Sequence, residues 1–130
     1  MTVYLDTQVV VWLYEGKLSK ISAKARDTLD RASRRLVSGM VILELEYLHE
    51  LGRIATKRSS QGPVAPKIID FLGLEVCELP FHRIATAALS ENWTRDPFDR
   101  LVAANAAANG NAALVTADRE IRRNYPQAIW

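Results

Sequence analysis

The sequence of 130 residues contains only one cysteine, Cys77. A single cysteine cannot form a disulfide within the chain, and it excludes a zinc site built on several thiolates. Cys77 ends the largely apolar run of residues 74–77, which predicts a buried and chemically inert thiol. A chain without disulfides suits a reducing compartment, so we expect a cytoplasmic protein.

Long hydrophobic runs are also lacking. The longest uncharged apolar stretch, residues 9–14, is far shorter than the roughly 20 residues that span a bilayer. The first residues carry no basic segment, and Asp6 stands where the hydrophobic part of a signal peptide would continue. We therefore expect neither a membrane span nor a signal peptide.

Neither sign of charge is in clear excess. Lysine and arginine number 17 and aspartate and glutamate 15, which leaves a formal charge of +2. This balance permits contact with nucleic acid without indicating it. The apolar fraction of 48% and the charged fraction of 25% are typical of folded globular proteins and exclude a disordered or collagen-like chain. The length predicts one domain over residues 1–130.

Glycine and histidine are scarce and are not arranged in a known catalytic pattern. The six glycines form no glycine-rich phosphate loop, and the G-x-S-x-G motif of serine hydrolases is absent. His49 and His82 lie far apart in sequence, without the spacing of metal ligands. The chemistry must therefore be sought among the acidic residues.

Short apolar runs alternate along the chain with segments of helical period. The runs predict strands at residues 3–5, 36–38, 74–79 and 112–116. The segments between them predict helices at residues 7–14, 21–34, 40–56, 66–72, 82–91, 96–110 and 118–125, the second capped by Ser22. Strands separated by helices need crossover connections, so this order predicts an α/β fold with a parallel sheet covered on both faces.

The valines at residues 9–11 are the one locally ambiguous segment. Their β-branched side chains favour a strand on propensity alone. We expect a helix, because Thr7 can cap it and the alternation of elements requires a crossover there.

Two aspartates follow predicted strands. Asp6 comes directly after the first strand, and Asp118 comes shortly after the strand at residues 112–116. Ligands of open α/β sheets bind at the carboxyl ends of the strands, so the two carboxylates can converge there. The alternative is that each is only a helix N-cap, a position that aspartate favours.

Glu44 is the third acid of interest. Its helix has an apolar face with Glu44 in the middle, formed by Met40, Val41, Tyr47, Leu48 and Leu51. A carboxylate in such a position is strongly destabilised unless it pairs with an arginine or binds a cation. Glu46 and Glu50 point elsewhere and are expected to be solvated.

Asp96 and Asp99 lie in the run DPFDR at residues 96–100. A helix N-cap and a third helical position explain both of them structurally. Together with Asp6, Glu44 and Asp118, however, Asp99 would form a carboxylate cluster, in which repulsion raises at least one pKa. An oxygen-only cluster without histidine or cysteine suits a hard cation, Mg²⁺ or Mn²⁺.

These residues resemble those of the PIN-domain family, specifically the VapC-type toxins of type II toxin–antitoxin systems. The matching segments are VYLDT at residues 3–7, Ser38 followed by Glu44 and Leu45, DPFDRLVAA at residues 96–104 and VTADREI at residues 115–121. They occur in the family's order over nearly the whole chain. The resemblance implies a three-layer α/β/α sandwich around a parallel sheet of four to five strands and a metal-dependent endoribonuclease.

The resemblance also implies roles for single residues. The catalytic, metal-binding acids would be Asp6, Glu44, Asp99 and Asp118, with Mg²⁺ or Mn²⁺ as cofactor. Asp96 would be an accessory metal-binding acid, at a position shared by only part of the family. Thr7 and Thr116 would be polar neighbours that orient the site. Arg100, adjacent to the proposed site, is the accessory residue best placed to contact a phosphate.

The partners implied by the resemblance are an RNA substrate, a VapB-like antitoxin and a second copy of the chain. Apolar residues such as Leu13, Tyr14 and Met40 could serve the protein interfaces. Basic residues could contact RNA phosphates, although each is also explained as solvated charge: Arg34, Arg35, Lys57, Arg58, Arg95, Arg100, Arg122 and Arg123.

Two other functions remain open from the sequence. A non-catalytic PIN domain would bind RNA or a protein partner without cleaving RNA. An aspartate-based phosphatase or phosphoacceptor domain would use Asp6 as nucleophile, but Gln8 stands where an Asp-x-Asp pair needs its second acid.

Overall fold

The computed structural model describes residues 1–55 and 61–130 of the chain. Lys57 and Arg58 lie outside the described residues. The helix expected at residues 40–56 ends at Glu50, and residues 51–55 are not helical, so its predicted length was wrong. The described elements are β1 (Thr2–Leu5), α1 (Thr7–Tyr14), α2 (Ala23–Arg31), β2 (Arg34–Val37), α3 (Gly39–Glu50), α4 (Ala65–Phe71), β3 (Glu75–Val76), α5 (Phe81–Ala88), α6 (Pro97–Ala108), β4 (Ala113–Val115), α7 (Arg119–Asn124) and β5 (Ala128–Ile129), with a short 3₁₀ helix at Leu18–Lys20.

The strands form one parallel sheet in the order β3-β2-β1-β4-β5. The sheet and its covering helices confirm the predicted α/β/α sandwich. The fifth strand was not predicted as an element, because its two residues follow Pro126 and are too few to show a period. It pairs with β4 through Leu114 opposite Ala128 and Val115 opposite Ile129.

The central strand β1 is buried on both faces. Val3, Tyr4 and Leu5 are all fully buried, as are Leu114 and Val115 of the neighbouring strand β4. Such continuous apolar runs are typical of parallel strands that have helices on both sides. The most apolar strand therefore lies at the centre of the sheet.

The valines at residues 9–11 are helical, as predicted, and all three are buried. The cap of α1 differs from the prediction, because Asp6 rather than Thr7 occupies the N-cap position. Asp6 Oδ1 accepts a hydrogen bond of 2.8 Å from the backbone N–H of Thr7. The predicted cap Ser22 is confirmed, since its Oγ accepts from the N–H of Ala25 at 3.1 Å.

Helix α3 is rotated relative to the predicted apolar face. Its buried residues are Val41 and Leu45, whereas Tyr47 and Leu51 are exposed by 45% and 65%. The expectation that the last two are buried was wrong, because this helix is apolar on more than one side and its period alone does not select the inner face. The ring of Tyr47 meets Phe98 edge-on, with centroids 5.8 Å apart.

Glu46 is not the freely solvated residue that was expected. It is half-buried, and its Oε1 accepts a hydrogen bond from the backbone N–H of Ala65 at the start of α4. It therefore ties α3 to α4. Glu50, in contrast, is exposed as expected.

Several other apolar expectations are only partly met. Leu13, Tyr14 and Met40 are half-buried, and Tyr14 packs edge-on against Phe71 with centroids 5.8 Å apart. Cys77 is half-buried rather than buried, and its Sγ accepts a hydrogen bond of 3.0 Å from the hydroxyl of Tyr4.

Among the helices of residues 1–55 and 61–130, none has both the length and the apolar character that crossing a membrane requires.

Candidate functional site

The carboxyl ends of β1 and β4 meet at the point where the strand order reverses. The N–H of Asp6 donates to the carbonyl of Val115 at 3.0 Å, which extends the ladder between the two strands by one residue. Thr116, the residue after β4, donates from Oγ1 to Asp6 Oδ2 at 2.7 Å. Crevices at such switch points are where open α/β sheets bind ligands.

Asp6 is buried at the bottom of this crevice, with 8% of its surface exposed. Its two oxygens accept from the N–H of Thr7 and the hydroxyl of Thr116. Burial raises its pKa above the ordinary value, and these two hydrogen bonds oppose the rise. The charges of Asp118 and Asp96 raise the pKa further. The two hydrogen bonds hold the carboxylate in place.

Glu44 reaches the crevice from α3. Its Oε1 accepts a hydrogen bond from the hydroxyl of Thr7. Partial burial raises the pKa of Glu44, the Thr7 hydrogen bond lowers it, and the charges of Asp6 and Asp96 raise it. Thr7 thus serves two acids, because its backbone N–H binds Asp6 and its side chain binds Glu44.

Asp99 lies in the first turn of α6 and is half-buried. Burial, followed by repulsion from Asp96, Asp6, Asp118 and Glu44, raises its pKa to about 7. This carboxyl is therefore near half protonation at neutral pH when no cation is bound. The shift reflects the burial of Asp99 first and the repulsion from the neighbouring acids second.

Asp118 is both a helix cap and part of the crevice. Its Oδ1 accepts from the backbone N–H groups of Glu120 and Ile121, each at 2.9 Å. Its own N–H donates to Thr116 Oγ1 at 3.0 Å. The N-cap interpretation and the site interpretation of this residue are thus compatible.

Asp96 caps α6 through hydrogen bonds from Phe98 and Asp99, at 2.9 and 3.4 Å. It is exposed and does not line the crevice, yet its charge raises the pKa of Asp6, Glu44 and Asp99. Its influence on the site is electrostatic.

The crevice is an open cleft of about 340 Å³, which we call the acidic pocket. It brings together all four acids that the sequence predicted as catalytic, and its lining is Asp6, Thr7, Gln8, Glu44, Leu48, Asp99, Ala117 and Asp118. Gln8, Leu48 and Ala117 were not predicted as site residues. Gln8 could have been singled out from the sequence, because it is the one long polar side chain in the otherwise apolar helix α1.

The donor set of the acidic pocket fits a hard cation. Its carboxylate oxygens are the ligands that Mg²⁺ and Mn²⁺ prefer, and no lysine, arginine or histidine stands among the described residues that line it. In the described parts of the chain, no three acidic, histidine or cysteine side chains are already arranged as a coordination set. The four acids line one pocket, but their carboxylate oxygens do not yet surround a common metal position.

Arg100 lies outside the acidic pocket. Its Nε donates to the carbonyl of Ala88 at 2.8 Å and its Nη1 to that of Thr94 at 3.5 Å. The side chain thereby ties the end of α5 to the segment before α6.

Other basic residues considered for RNA contact are also engaged locally. Arg34 pairs with Glu75, with Nε and Oε2 3.1 Å apart. Arg35 donates to the carbonyl of Leu29 at 2.8 Å, and Arg95 to that of Asn92 at 3.0 Å. Arg122 and Arg123 line a separate cleft, which is described below.

Comparison with known proteins identifies relatives of this arrangement. Residues 3–125 match the PIN domain. Among solved structures, the chain is similar to the crystal structure of VapBC2 from Rickettsia felis bound to a DNA fragment from their promoter. The match has 20% sequence identity and a TM-score of 0.58, and it covers 99% of this chain and 96% of the other. This match shows that the two chains share a similar fold. The search of curated proteins gave no match.

Proposed function

The chain belongs to the PIN domain family, and on this premise we propose that it is a metal-dependent endoribonuclease. The observation that carries the proposal is the acidic pocket, where Asp6, Glu44, Asp99 and Asp118 converge from four separate parts of the sequence. The pKa of Asp99 near 7 adds support, because such a cluster is relieved by binding a cation.

Mg²⁺ or Mn²⁺ would be held by Asp6, Glu44, Asp99 and Asp118, with Asp96 as an accessory acid. When bound, such an ion lowers the pKa of a water molecule and stabilises negative charge on a phosphate. The proposed reaction is hydrolysis. A water attacks the phosphorus of an RNA phosphodiester, one P–O ester bond breaks, and the leaving oxygen takes up a proton.

The residues of the chain have distinct parts in this proposal. Thr116 orients Asp6 through Oδ2 and supports the backbone of Asp118, while Thr7 orients Asp6 and Glu44. The raised pKa of Asp99, about 7, means that this carboxyl would give up its remaining proton if it held a cation. The hydrogen bonds fix the acids in advance and limit the reorganisation required on binding.

We further propose that the chain is the toxin of a VapBC-type toxin–antitoxin pair. The fold of the Rickettsia felis complex supports this extension. The partners would be an RNA substrate, a VapB-like antitoxin and a second copy of the chain, in the cytoplasm. The chain would act as one domain over residues 1–130.

A non-catalytic PIN domain is the second candidate. It is favoured by one observation, namely that the described acids are not arranged as a ready coordination set. A phosphatase or phosphoacceptor domain is less well supported, because Gln8 lines the acidic pocket where a second aspartate would be needed.

The experiment is an RNA cleavage assay with purified protein. We expect total RNA to be cut at defined positions with Mg²⁺ or Mn²⁺ and to remain intact with a chelator. Binding of RNA without cleavage under any divalent cation would favour the non-catalytic candidate. Expression of the chain alone should stop growth, and growth unaffected by an active nuclease would refute the toxin assignment.

A further inference from the structure

A second cleft, of about 520 Å³, lies beside α7, and we call it the α7 cleft. Its lining consists of four cations, one small residue and one indole: Lys24, Arg119, Arg122, Arg123, Ala128 and Trp130. The four cationic side chains are exposed, and no carboxylate stands among the described residues that line the cleft. The cleft is therefore a concentration of positive charge in a chain with a formal charge of only +2.

These cations are not neutralised locally. Within residues 1–55 and 61–130, the ion pairs are Lys17–Glu15, Arg31–Asp27 and Arg34–Glu75, and none of them involves the α7 cleft. Like charges placed this close repel one another unless a polyanion lies between them. The cleft is thus complementary to a string of phosphates.

The helix dipole explains the positions of only two of these four cations. Arg122 and Arg123 lie in the last turn of α7, where the helix dipole favours cations. Arg119 and Lys24, however, lie in the first turns of α7 and α2, where the same dipole disfavours a positive charge. The stability of the helices therefore does not explain these two placements.

Trp130 adds a flat aromatic surface to the cleft. It is half-buried and packs against the core, with its ring centroid 5.9 Å from that of Trp12 and the two planes tilted by 41°. Trp12 holds the indole at the edge of the cleft. Exposed aromatic rings beside cationic grooves are the usual means of binding unstacked bases of single strands.

The α7 cleft adjoins the acidic pocket along the chain. Asp118 lines the pocket and the next residue, Arg119, lines the cleft. We propose that the α7 cleft binds the single-stranded RNA substrate on one side of the cleaved bond, with its cations on phosphates and Trp130 stacked on a base. This inference rests on the proposed endoribonuclease function for the identity of its ligand.

The first test measures binding without cleavage. A fluorescein-labelled single-stranded RNA is titrated with Asp99→Asn protein, and the salt dependence of the dissociation constant is recorded. Adding Arg122→Gln and Arg123→Gln should weaken binding about tenfold and reduce the log–log salt slope by about 1.4, since each phosphate contact on a single strand contributes about 0.7. The matched control, Arg31→Gln with Arg83→Gln, removes the same charge from exposed sites outside the cleft and should leave both quantities unchanged.

The second test concerns the indole. Trp130→Leu should weaken RNA binding about fivefold or more, whereas Trp130→Phe should retain most of the affinity, because base stacking needs an aromatic face. Thermal unfolding of both variants separates lost stacking from lost folding. Equal binding by folded Leu and Phe variants would overturn the role of Trp130.

Kinetics distinguish this inference from the proposed function. With the Asp99 side chain restored, the Arg122→Gln/Arg123→Gln protein should show a raised KM and an unchanged kcat. If this variant cleaves RNA with an unchanged KM, the proposal that the α7 cleft binds RNA is wrong, while the proposed endoribonuclease function stands. A wild-type protein that cleaves no RNA, while the cleft variants still lose RNA binding, overturns the proposed function alone. Duplex DNA bound as tightly as single-stranded RNA, with the same losses, would overturn the choice of ligand.

Discussion

The hydroxyl of Thr116 donates a 2.7 Å hydrogen bond to Oδ2 of Asp6, across 110 positions of the sequence. Oγ1 of Thr116 also accepts a hydrogen bond from the backbone N–H of Asp118 at 3.0 Å. One hydroxyl therefore links the acid that follows β1 to the acid that follows β4. The position of each carboxylate depends on a residue that is not itself acidic.

The first prediction follows from this link. Thr116→Val should lower the free energy of unfolding by about 1–3 kcal/mol, because a buried carboxylate and a backbone N–H both lose their partner. It should also reduce RNA cleavage. Thr116→Ser keeps the hydroxyl and is the matched control. A Val variant as active as the Ser variant would show that the link does not position the acids.

The second prediction concerns the acids themselves. Asp6→Asn and Asp99→Asn should each lower metal-dependent RNA cleavage about 100-fold or more, since each removes a charge that faces the proposed cation. Asp70→Asn, at an exposed position outside the pocket, should cleave normally. Full activity in both pocket variants, measured with the same RNA, would refute the metal-site proposal.

The third prediction separates two glutamates of α3. Glu44→Ala should abolish most of the cleavage, because the carboxylate lies in the acidic pocket. Glu46→Ala should retain activity but lose about 0.5–2 kcal/mol of stability, because the N–H of Ala65 at the start of α4 loses its acceptor. Chemical denaturation and initial rates of the two variants test this difference. The reverse pattern would mean that the wrong glutamate has been assigned to the pocket.

The fourth prediction is a pH dependence of stability in chelator. The pKa of Asp99 rises from 3.8 to about 7 on folding, so the folded chain holds a proton that the unfolded chain has already released. Stability from this group is therefore present below about pH 4 and is lost as the pH rises to 7.

The fourth prediction is checked by comparing wild type with Asp99→Asn at several pH values. The free energy of unfolding of Asp99→Asn minus that of the wild type should increase between about pH 4 and 7 and then stay constant. Mn²⁺ should remove much of this difference above pH 7. A difference that stays constant with pH would contradict the raised pKa.

Much of the fold was predictable because its signals are local. The apolar runs gave β1, β2 and β4 at nearly the observed positions, and the alternation of elements correctly made residues 9–11 helical against their propensity. Asp6 and Asp118 were predictable because strand ends of one sheet share an edge. Glu44 was predictable from its place among apolar residues of a helix, and Asp99 from the DPFDR run.

The remaining features depend on partners that are distant in sequence. Glu46 gains its partner from α4, 19 residues later, and helical period carries no information about such a contact. α3 carries apolar residues on more than one side, and packing against the rest of the fold buries Val41 and Leu45 while Tyr47 and Leu51 stay exposed. β5 exists because β4 offers it a free edge. The single-domain organisation stays a prediction.

The central place of β1 has a consequence for synthesis on the ribosome. Asp6 is made more than a hundred residues before its partners Val115 and Thr116. A growing chain carries β1 with one of its two neighbours missing and with the acidic pocket half assembled. If the pocket cleaves RNA, the nuclease is complete only after Thr116 and Asp118 have been made and have joined Asp6.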